Sequence, residues 1–539
     1  MKLRQNNLRL LAEREFDVLV IGGGINGAVS AASLAARGAS VALIDRGDFA
    51  GQTSQHSSNL VWGGIKYLES YDFALVRKLC RSRNHLIDSY PSTIRKVRFY
   101  AAIERGFRKS RFLIYLGALL YWAIGNFFTR RPRLLSRAHI DQDEPVVDTR
   151  NVVGGVEYSD AYLVDNDARF VFRFIRDALD HGAIAANYVQ LDRTERDATG
   201  QWTAHATDVT SGQALKIRAR VLINATGPYV DAVNANNRQT THYHHVFSKG
   251  VHLIVDRITD SPRVLTFFAD DGRLFFVIPM GPKSCIGTTD TRVEQLPPRV
   301  TDEDRAFILD NVNKRLRLPR PLTTADIIAE RCGVRPLVVS RQVSQRADWT
   351  ALSRKHVVEV NAPDRYLSIL GGKLTDCVNV GNEVAAIVSD LGVRLPYDDY
   401  RWYGEPAKET RELFFHQAHL MRLDNYTAPE SSELISSRLW RRYGAAAFGL
   451  LEDIQQDPSM AQVLIQGTEY IRCEIHLAAR REMITKLDDF LRRRSKIALI
   501  ARQDTIEQAP GLMEACRILF GDQAQARFDE YFAERKSLA

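Results

Sequence analysis

Residues 17–27 read Asp17-Val18-Leu19-Val20-Ile21-Gly22-Gly23-Gly24-Ile25-Asn26-Gly27, and an alanine-rich stretch, Ala28 to Arg37, follows. Val18 to Ile21 is a short unbroken apolar run, the pattern of a parallel strand buried on both faces. It leads straight into Gly22-x-Gly24-x-x-Gly27 and then into a helix. Gly22 permits the tight turn, Gly24 lets a pyrophosphate approach the backbone, and Gly27 lets the helix pack close on the strand. The start of that helix offers N–H groups without intrahelical partners, and the positive end of its dipole, to the phosphates. A second run, Ser40-Val41-Ala42-Leu43-Ile44, ends on Asp45. An acid about 20 residues beyond the glycines accepts hydrogen bonds from an adenosine ribose. Strand, glycines, helix, strand and acid in this order make a dinucleotide-binding unit.

On this unit alone the dinucleotide is a nicotinamide or a flavin. Two later stretches favour FAD. Gly47 to Ser58 is polar and carries Thr53, Ser54, Ser57 and Ser58. Far downstream, Val221-Leu222-Ile223-Asn224-Ala225-Thr226-Gly227-Pro228 is another buried strand that ends in a turn of small residues. In two-dinucleotide-fold flavoproteins such a strand closes over the FAD diphosphate.

The stretch Ser57-Ser58-Asn59-Leu60-Val61-Trp62-Gly63-Gly64-Ile65-Lys66-Tyr67-Leu68-Glu69 resembles the flavin-contacting segment of the FAD-dependent glycerol-3-phosphate dehydrogenases. The resemblance continues through Glu157-Tyr158-Ser159-Asp160, Asp167-Ala168-Arg169 and Asn224 to Pro228. It runs on through Lys249-Gly250-Val251-His252, Gly287-Thr288-Thr289-Asp290, Gly333-Val334-Arg335-Pro336-Leu337 and Gly371-Gly372-Lys373-Leu374-Thr375. A helical segment from Glu482 to Arg494 is similar to that family's cap. The match therefore spans residues 15 to roughly 500 in family order. It implies FAD held by Gly22, Gly24, Asn26, Gly27, Asp45, Thr53, Ser54, Ser57, Ser58, Gly63, Gly64, Ala225, Thr226, Gly227, Gly372, Lys373, Leu374 and Thr375. It also implies oxidation of sn-glycerol 3-phosphate to dihydroxyacetone phosphate, with electrons passed to a membrane quinone.

The implied fold class is α/β: a Rossmann-like FAD domain, an antiparallel-sheet substrate domain and a C-terminal helical cap. The FAD unit is expected to be discontinuous, from residues 15–105, 150–245 and 350–395. Long helical patterns over Phe73 to Ser89 and Asp167 to His181 should pack on its parallel sheet. Residues 246–349 alternate in strand fashion, as in Leu274-Phe275-Phe276-Val277-Ile278-Pro279, and suit a sheet covering the substrate. Pro396-Tyr397-Asp398-Asp399 marks a linker, and residues 400–539 read as helical. The Arg492-Arg493-Arg494 run reads as a solvated helix end, or else as a contact with an anionic surface.

Composition narrows the class. The chain has 539 residues, 45% hydrophobic and 26% charged, as in a soluble globular protein of two or three domains. Its six cysteines lie at 80, 285, 332, 377, 473 and 516, without metal-ligand spacing. No metal is expected, and reduced thiols in a cytosolic context are. The formal charge of +8 suits an anionic substrate or a membrane surface, and no nucleic-acid motif accompanies it. The excess is local: Arg105, Arg108, Lys109 and Arg111 precede an uncharged apolar run, Phe112 to Phe128, and Arg130, Arg131 and Arg133 follow it. This run, within an insertion at 106–149, is short of the roughly 20 residues that span a bilayer. It fits a helix lying in one leaflet with its arginines on anionic headgroups, and it equally fits a core helix between two basic turns. The resemblance favours the first, with the protein peripheral on the cytoplasmic face of the inner membrane. A homodimer is one of the assemblies left open.

Oxidation of a secondary alcohol by a flavin needs a base for the hydroxyl proton and cations for any anionic handle. Arg335, Lys373 and Lys66 are the candidate cations, and His252 is the candidate base, with His56 as an alternative. The family pattern reads Ser-Ser-Lys-Leu-Ile-His-Gly-Gly-Leu-Arg-Tyr-Leu-Glu. Here the lysine is Asn59, the histidine is Trp62 and the arginine is Lys66. An indole only donates, and lysine lacks the bidentate fork. The usual Thr-Tyr-Arg after the glycine–lysine motif is Asp376-Cys377-Val378. A related flavoenzyme with a different hydroxy or amino substrate, and a flavin-binding protein without catalysis, are the alternative readings.

Overall fold

The computed structural model describes residues 2–342 and 355–536. The expected boundary between the substrate sheet and the returning FAD unit, at 349/350, lies outside the described residues. The strand Glu15–Ile21 forms the centre of an eight-stranded sheet among the described residues, and pairs in parallel with Val41–Ile44 and Ala214–Asn224. Ile184–Ala186 and Tyr366–Leu370 extend it in parallel on either side. Val18 and Val20 face one core with the helix Ile25–Ala36, and Leu19 and Ile21 face another with the N-terminal helix Lys2–Glu13. Both faces are covered, which is why the run carries no polar alternation. The helices Asp167–Asp180 and Cys377–Asp390 pack beside Ile25–Ala36.

A second sheet has ten strands among the described residues, nearly all antiparallel. Its long members are Ile94–Glu104, Val152–Leu163, Tyr243–Asp256 and Ala329–Ser340. The first two were expected in the FAD unit. They instead pair antiparallel with each other along their length, and Ile94–Glu104 meets Val264–Phe268 in parallel. An apolar run shows that a strand is buried but not which sheet supplies its partners. Residues 246–349 are also not all strand. Thr301 and Asp304 form a reciprocal capping box that starts the helix Asp302–Arg315.

Beyond the linker the chain is helical from Lys408–Leu420 to Ala524–Lys536, around two cores of its own. This domain grips the first sheet through the π-helical turn Asp489–Arg494, whose three arginines are buried. The expectation of a solvated end is corrected here. Arg494 makes a bidentate contact with Asp48, with both N–H···O distances 2.8 Å. Arg493 reaches the same carboxylate at 2.6 Å. Burial pushes the Asp48 carboxyl up, but Arg494 and Arg493 bring it below the usual range. Arg494 also lies 3.9 Å above the ring of Phe172. Arg493 and Arg494 are therefore paired with an acid from far away in the chain, Asp48, three residues past Asp45, while Arg492 donates to the Glu330 carbonyl.

Removing one partner of such a pair leaves buried charge. Arg494→Met is expected to lower the unfolding free energy by about 3 kcal/mol, read from urea denaturation. An unchanged midpoint would contradict the interdomain role of this pair.

Candidate active site

The carboxyl ends of Glu15–Ile21, Val41–Ile44 and Ala214–Asn224 converge on the glycine turn. Gly22 has φ +103°, and a Cβ there would meet the Ala225 carbonyl at 2.6 Å. A Cβ on Gly27 would lie 1.8 Å from the Gly22 carbonyl oxygen. Gly24 differs. A Cβ would meet only Ser54 Oγ, at 3.3 Å, so the space before the helix is open. Ser54 Oγ accepts the Ile25 N–H at 3.0 Å. Asp45 accepts from the N–H groups of Gly23 and Gly47, at 2.6 and 2.8 Å. Burial pushes its carboxyl up to about 6 despite these bonds. Ala225 joins this turn through its N–H to the Ile21 carbonyl, and Thr226 bonds Asn224 Oδ1. Gly227 has φ +59°.

The turn after Tyr366–Leu370 faces the same helix start. Asn26 Nδ2 donates to the Gly371 carbonyl at 2.9 Å, and Asn26 Oδ1 is buried without a partner. Lys373 Nζ donates to Tyr67 Oη at 2.8 Å and lies 4.2 Å from the centre of that ring. Leu374 packs on the first core, and Thr375 Oγ1 reaches the Trp62 carbonyl at 3.5 Å. Gly63 and Gly64, the latter at φ +82°, thus sit across from the Gly371–Thr375 turn.

One face of the second sheet closes the site. His252 pairs with Arg331 and Gly287, Gly250 with Gly333, and Ser248 with Arg335, so these residues share a side. Arg335 lies flat over Gly250, where a Cβ would come within 2.4 Å of its guanidinium. Its N–H groups bond Thr288 Oγ1, the Thr289 carbonyl and Asp290 Oδ1 at 3.0–3.1 Å. The loop Thr53–Ser57 lies on this face: Thr53 Oγ1 donates to the Val334 carbonyl, and Gly333 backs onto His56. Ser57 N–H donates to Asp167, and Ser58 is half-buried. Lys66, by contrast, is exposed, and its ammonium makes no hydrogen bond or ion pair among the described residues.

His252 is buried, with both ring nitrogens unpartnered among the described residues. Burial, then Arg335 and Arg331, lowers its pKa to about 3. His56 is likewise held well below the ordinary value, by burial and by Arg492 and Arg331. Both are neutral at pH 7 and able to accept a proton.

The departures from the family pattern resolve locally. Asn59 has φ +60°, tolerable for asparagine, and is a buried knot. Its Nδ2 donates to the Asp165 carbonyl at 2.5 Å, and its Oδ1 accepts from Arg331 at 2.8 Å. Trp62 keeps its indole N–H buried, beside the Tyr158 hydroxyl. Asp376 gathers Ser82, Asn379, Lys78 and His356.

The sequence reading missed Arg331, whose Nε and Nη2 are buried and unpartnered. It also missed the network beneath Gly63. Asp160 accepts from the Gly63 N–H at 3.0 Å, Arg83 at 2.9 Å and Tyr121 at 2.8 Å, all buried. Tyr121 belongs to the apolar helix Arg111–Ile124, so that helix is tied to the Gly63–Gly64 turn. The Glu157-Tyr158-Ser159-Asp160 motif carried the signal for Asp160, but nothing local marks its partners.

These residues fit FAD. The open space at Gly24, the helix N–H groups and Asp45 suit its ADP half. Asn26 Oδ1, buried and without a hydrogen-bond partner among the described residues, is a polar atom available to it.

Residues 17–358 match the family described as FAD dependent oxidoreductase, and residues 408–526 match the C-terminal domain of alpha-glycerophosphate oxidase. The chain is 30% identical over 495 residues to "Glycerol-3-phosphate dehydrogenase 2" of Mycobacterium tuberculosis, covering 91% of this chain and 82% of the relative. It is 27% identical to "Aerobic glycerol-3-phosphate dehydrogenase" of Bacillus subtilis, covering 91% and 89%. A solved glycerol-3-phosphate dehydrogenase from Bacillus halodurans, complexed with FAD, superposes with a TM-score of 0.74 at 23% identity, covering 100% and 98%.

The lowered pKa of His252 has a consequence for stability. Near pH 5.5 the unfolded state binds a proton at this side chain that the folded state excludes, so stability falls as pH drops below about 6.5. In His252→Gln that contribution is gone. Between pH 6 and 5 the wild type should lose roughly 1 kcal/mol more stability than the variant, measured by denaturation at each pH. Parallel losses would mean that His252 protonates freely in the folded protein.

Proposed function

We propose that this chain, which belongs to the FAD-dependent oxidoreductase family, oxidises sn-glycerol 3-phosphate to dihydroxyacetone phosphate and passes the electrons to a membrane quinone. The observation that carries this reading is the shared face of Arg335, Arg331 and neutral His252, on which the loop Thr53–Ser57 lies. Bound FAD supplies the acceptor for the hydride that leaves the alcohol carbon. Arg335, fixed by three bonds to residues 288–290, is preorganised to hold an anion or polarise the hydroxyl. Lys373 adds a second cation, held in place by Tyr67. His252 accepts the hydroxyl proton, and an anionic substrate beside it favours its charged form. Lys66 serves as an auxiliary charge at the rim. The names of the relatives support the same substrate.

Anaerobic addition of sn-glycerol 3-phosphate should bleach the flavin of the FAD-loaded protein. Arg335→Ala should lower kcat/KM by roughly 10- to 100-fold, the worth of a charge-assisted bond. Lys66→Arg should keep or raise activity, because it restores a fork at that position. Bleaching by an unphosphorylated hydroxy or amino compound, with none by glycerol 3-phosphate, would replace this substrate.

The membrane part of the proposal rests on the helix Arg111–Ile124. Phe112, Leu116 and Leu120 are 56%, 60% and 45% exposed and form one outward stripe, continued by Leu113 and Phe127. A contiguous apolar face of this kind marks an interaction surface. Arg105, Arg130 and Arg131 are exposed at its ends. No helix among the described residues is long and apolar enough to cross a membrane, which suits a helix lying in one leaflet. The inner half of the run is packed: Tyr121 is buried, and Trp122 Nε1 donates to the Thr129 carbonyl. Leu116→Ser with Leu120→Ser should therefore release the protein from anionic vesicles in a flotation assay without loss of FAD. Wild-type protein that fails to float with such vesicles at low salt would end the membrane proposal.

A further inference from the structure

The turn Gly371–Gly372–Lys373 is held from two sides, and the glycine motif accounts for only one. On that side Asn26 Nδ2 grips the Gly371 carbonyl. On the other, the Gly371 N–H donates to His245 Nε2 at 3.0 Å. An imidazole nitrogen accepts only when it carries no proton, so the proton of neutral His245 sits on Nδ1. Nδ1 lies 3.3 Å from Asp231 Oδ2, and the same oxygen accepts the His245 backbone N–H at 3.0 Å. Burial raises the Asp231 carboxyl, yet the bonds from His245 hold it below its usual range. The His245 side chain is fully buried. The turn itself has two positive φ angles, +65° at Gly371 and +110° at Gly372. It presses on the strand Ala329–Ser340 so closely that a Cβ on Gly371 would meet Val338 at 2.6 Å.

We propose that Asp231 and His245 are positioning residues: a carboxylate–imidazole pair that anchors the Gly371 N–H and so sets the Gly372 and Lys373 amides that follow it toward the flavin. The order of the contacts argues for it. Asp231 lies beside Nδ1 and favours the proton there, Nε2 is left as an acceptor, and that acceptor fixes the Leu370–Gly371 peptide, next to the Gly371–Gly372 peptide whose carbonyl the dinucleotide helix holds. A buried imidazole, backed by a partly exposed carboxylate, reaches this turn from a different part of the chain through the Gly371 N–H. N–H groups aimed at the flavin's pyrimidine edge favour its electron-rich reduced form. This inference rests on the proposed reading of the turn as flavin-facing.

The test uses FAD-loaded protein with two readouts, the FAD dissociation constant and the flavin midpoint potential. His245→Met keeps bulk and removes the acceptor. It should weaken FAD about tenfold and lower the potential by about 30 mV, the equivalent of a tenfold loss of preference for the two-electron reduced form. His245→Gln supplies an amide oxygen near Nε2 and should restore most of both values. Met and Gln variants that behave alike, or a Met variant with wild-type potential and affinity, would overturn the proposal. If His245→Met does not fold, Asp231→Ala decides: it should lower the potential with His245 intact, and an unchanged potential rejects the pair. Failure of glycerol 3-phosphate to bleach the wild type would overturn the substrate reading without touching these differences.

Discussion

The absence of one methyl group organises the first sheet. With a Cβ on Gly27 placed 1.8 Å from the Gly22 carbonyl, the helix Ile25–Ala36 can lie where it does only because that atom is missing. Its axis then points at the end of the central strand. The next strand brings Asp45 alongside, and the loop beyond delivers Ser54 to the helix start. Asn26 on the first turn reaches a segment 345 residues away. A local steric condition thus sets the position of the two most distant parts of the site.

What could be read from the chain divides along the range of the interactions. The glycine turn, Asp45 and the two helices Phe73–Ser89 and Asp167–Asp180 are local in origin, and their patterns were plain in the sequence. Sheet membership was not. Ile94–Glu104 and Val152–Leu163 look like buried strands whichever sheet they join, and only their long-range pairing decides it. Charge was misread for the same reason. Arg492, Arg493 and Arg494 resemble a solvated end when taken alone, but their counter-ions include Asp48, more than 400 residues earlier. At the site, Arg335 and His252 were legible from short motifs, whereas Arg331 and the Asp160 network have no sequence signature. Lys66 was singled out by its motif and is the least engaged of the candidates.

Electrostatic design separates the two halves of the site. Near the dinucleotide turn the buried charges are paired, as in the contact of Asp48 with Arg493 and Arg494. On the facing sheet it is not: Arg331 leaves two of its nitrogens unpartnered, and both nearby histidines are held neutral. Neutral imidazoles there avoid adding to the positive charge while keeping acceptor capacity. That imbalance suits a pocket whose remaining charge arrives with an anion.

The bond from Tyr121 to Asp160 limits how this protein can be re-engineered. An exposed apolar helix invites removal when a more tractable sample is wanted. Excising Arg111–Ile124 would withdraw a hydroxyl from a fully buried carboxylate that also orients Gly63. The truncated chain would be altered at the Gly63–Gly64 turn before it gained anything in solubility. Resurfacing the outward stripe, with the inner face of the helix left alone, is the route the architecture permits.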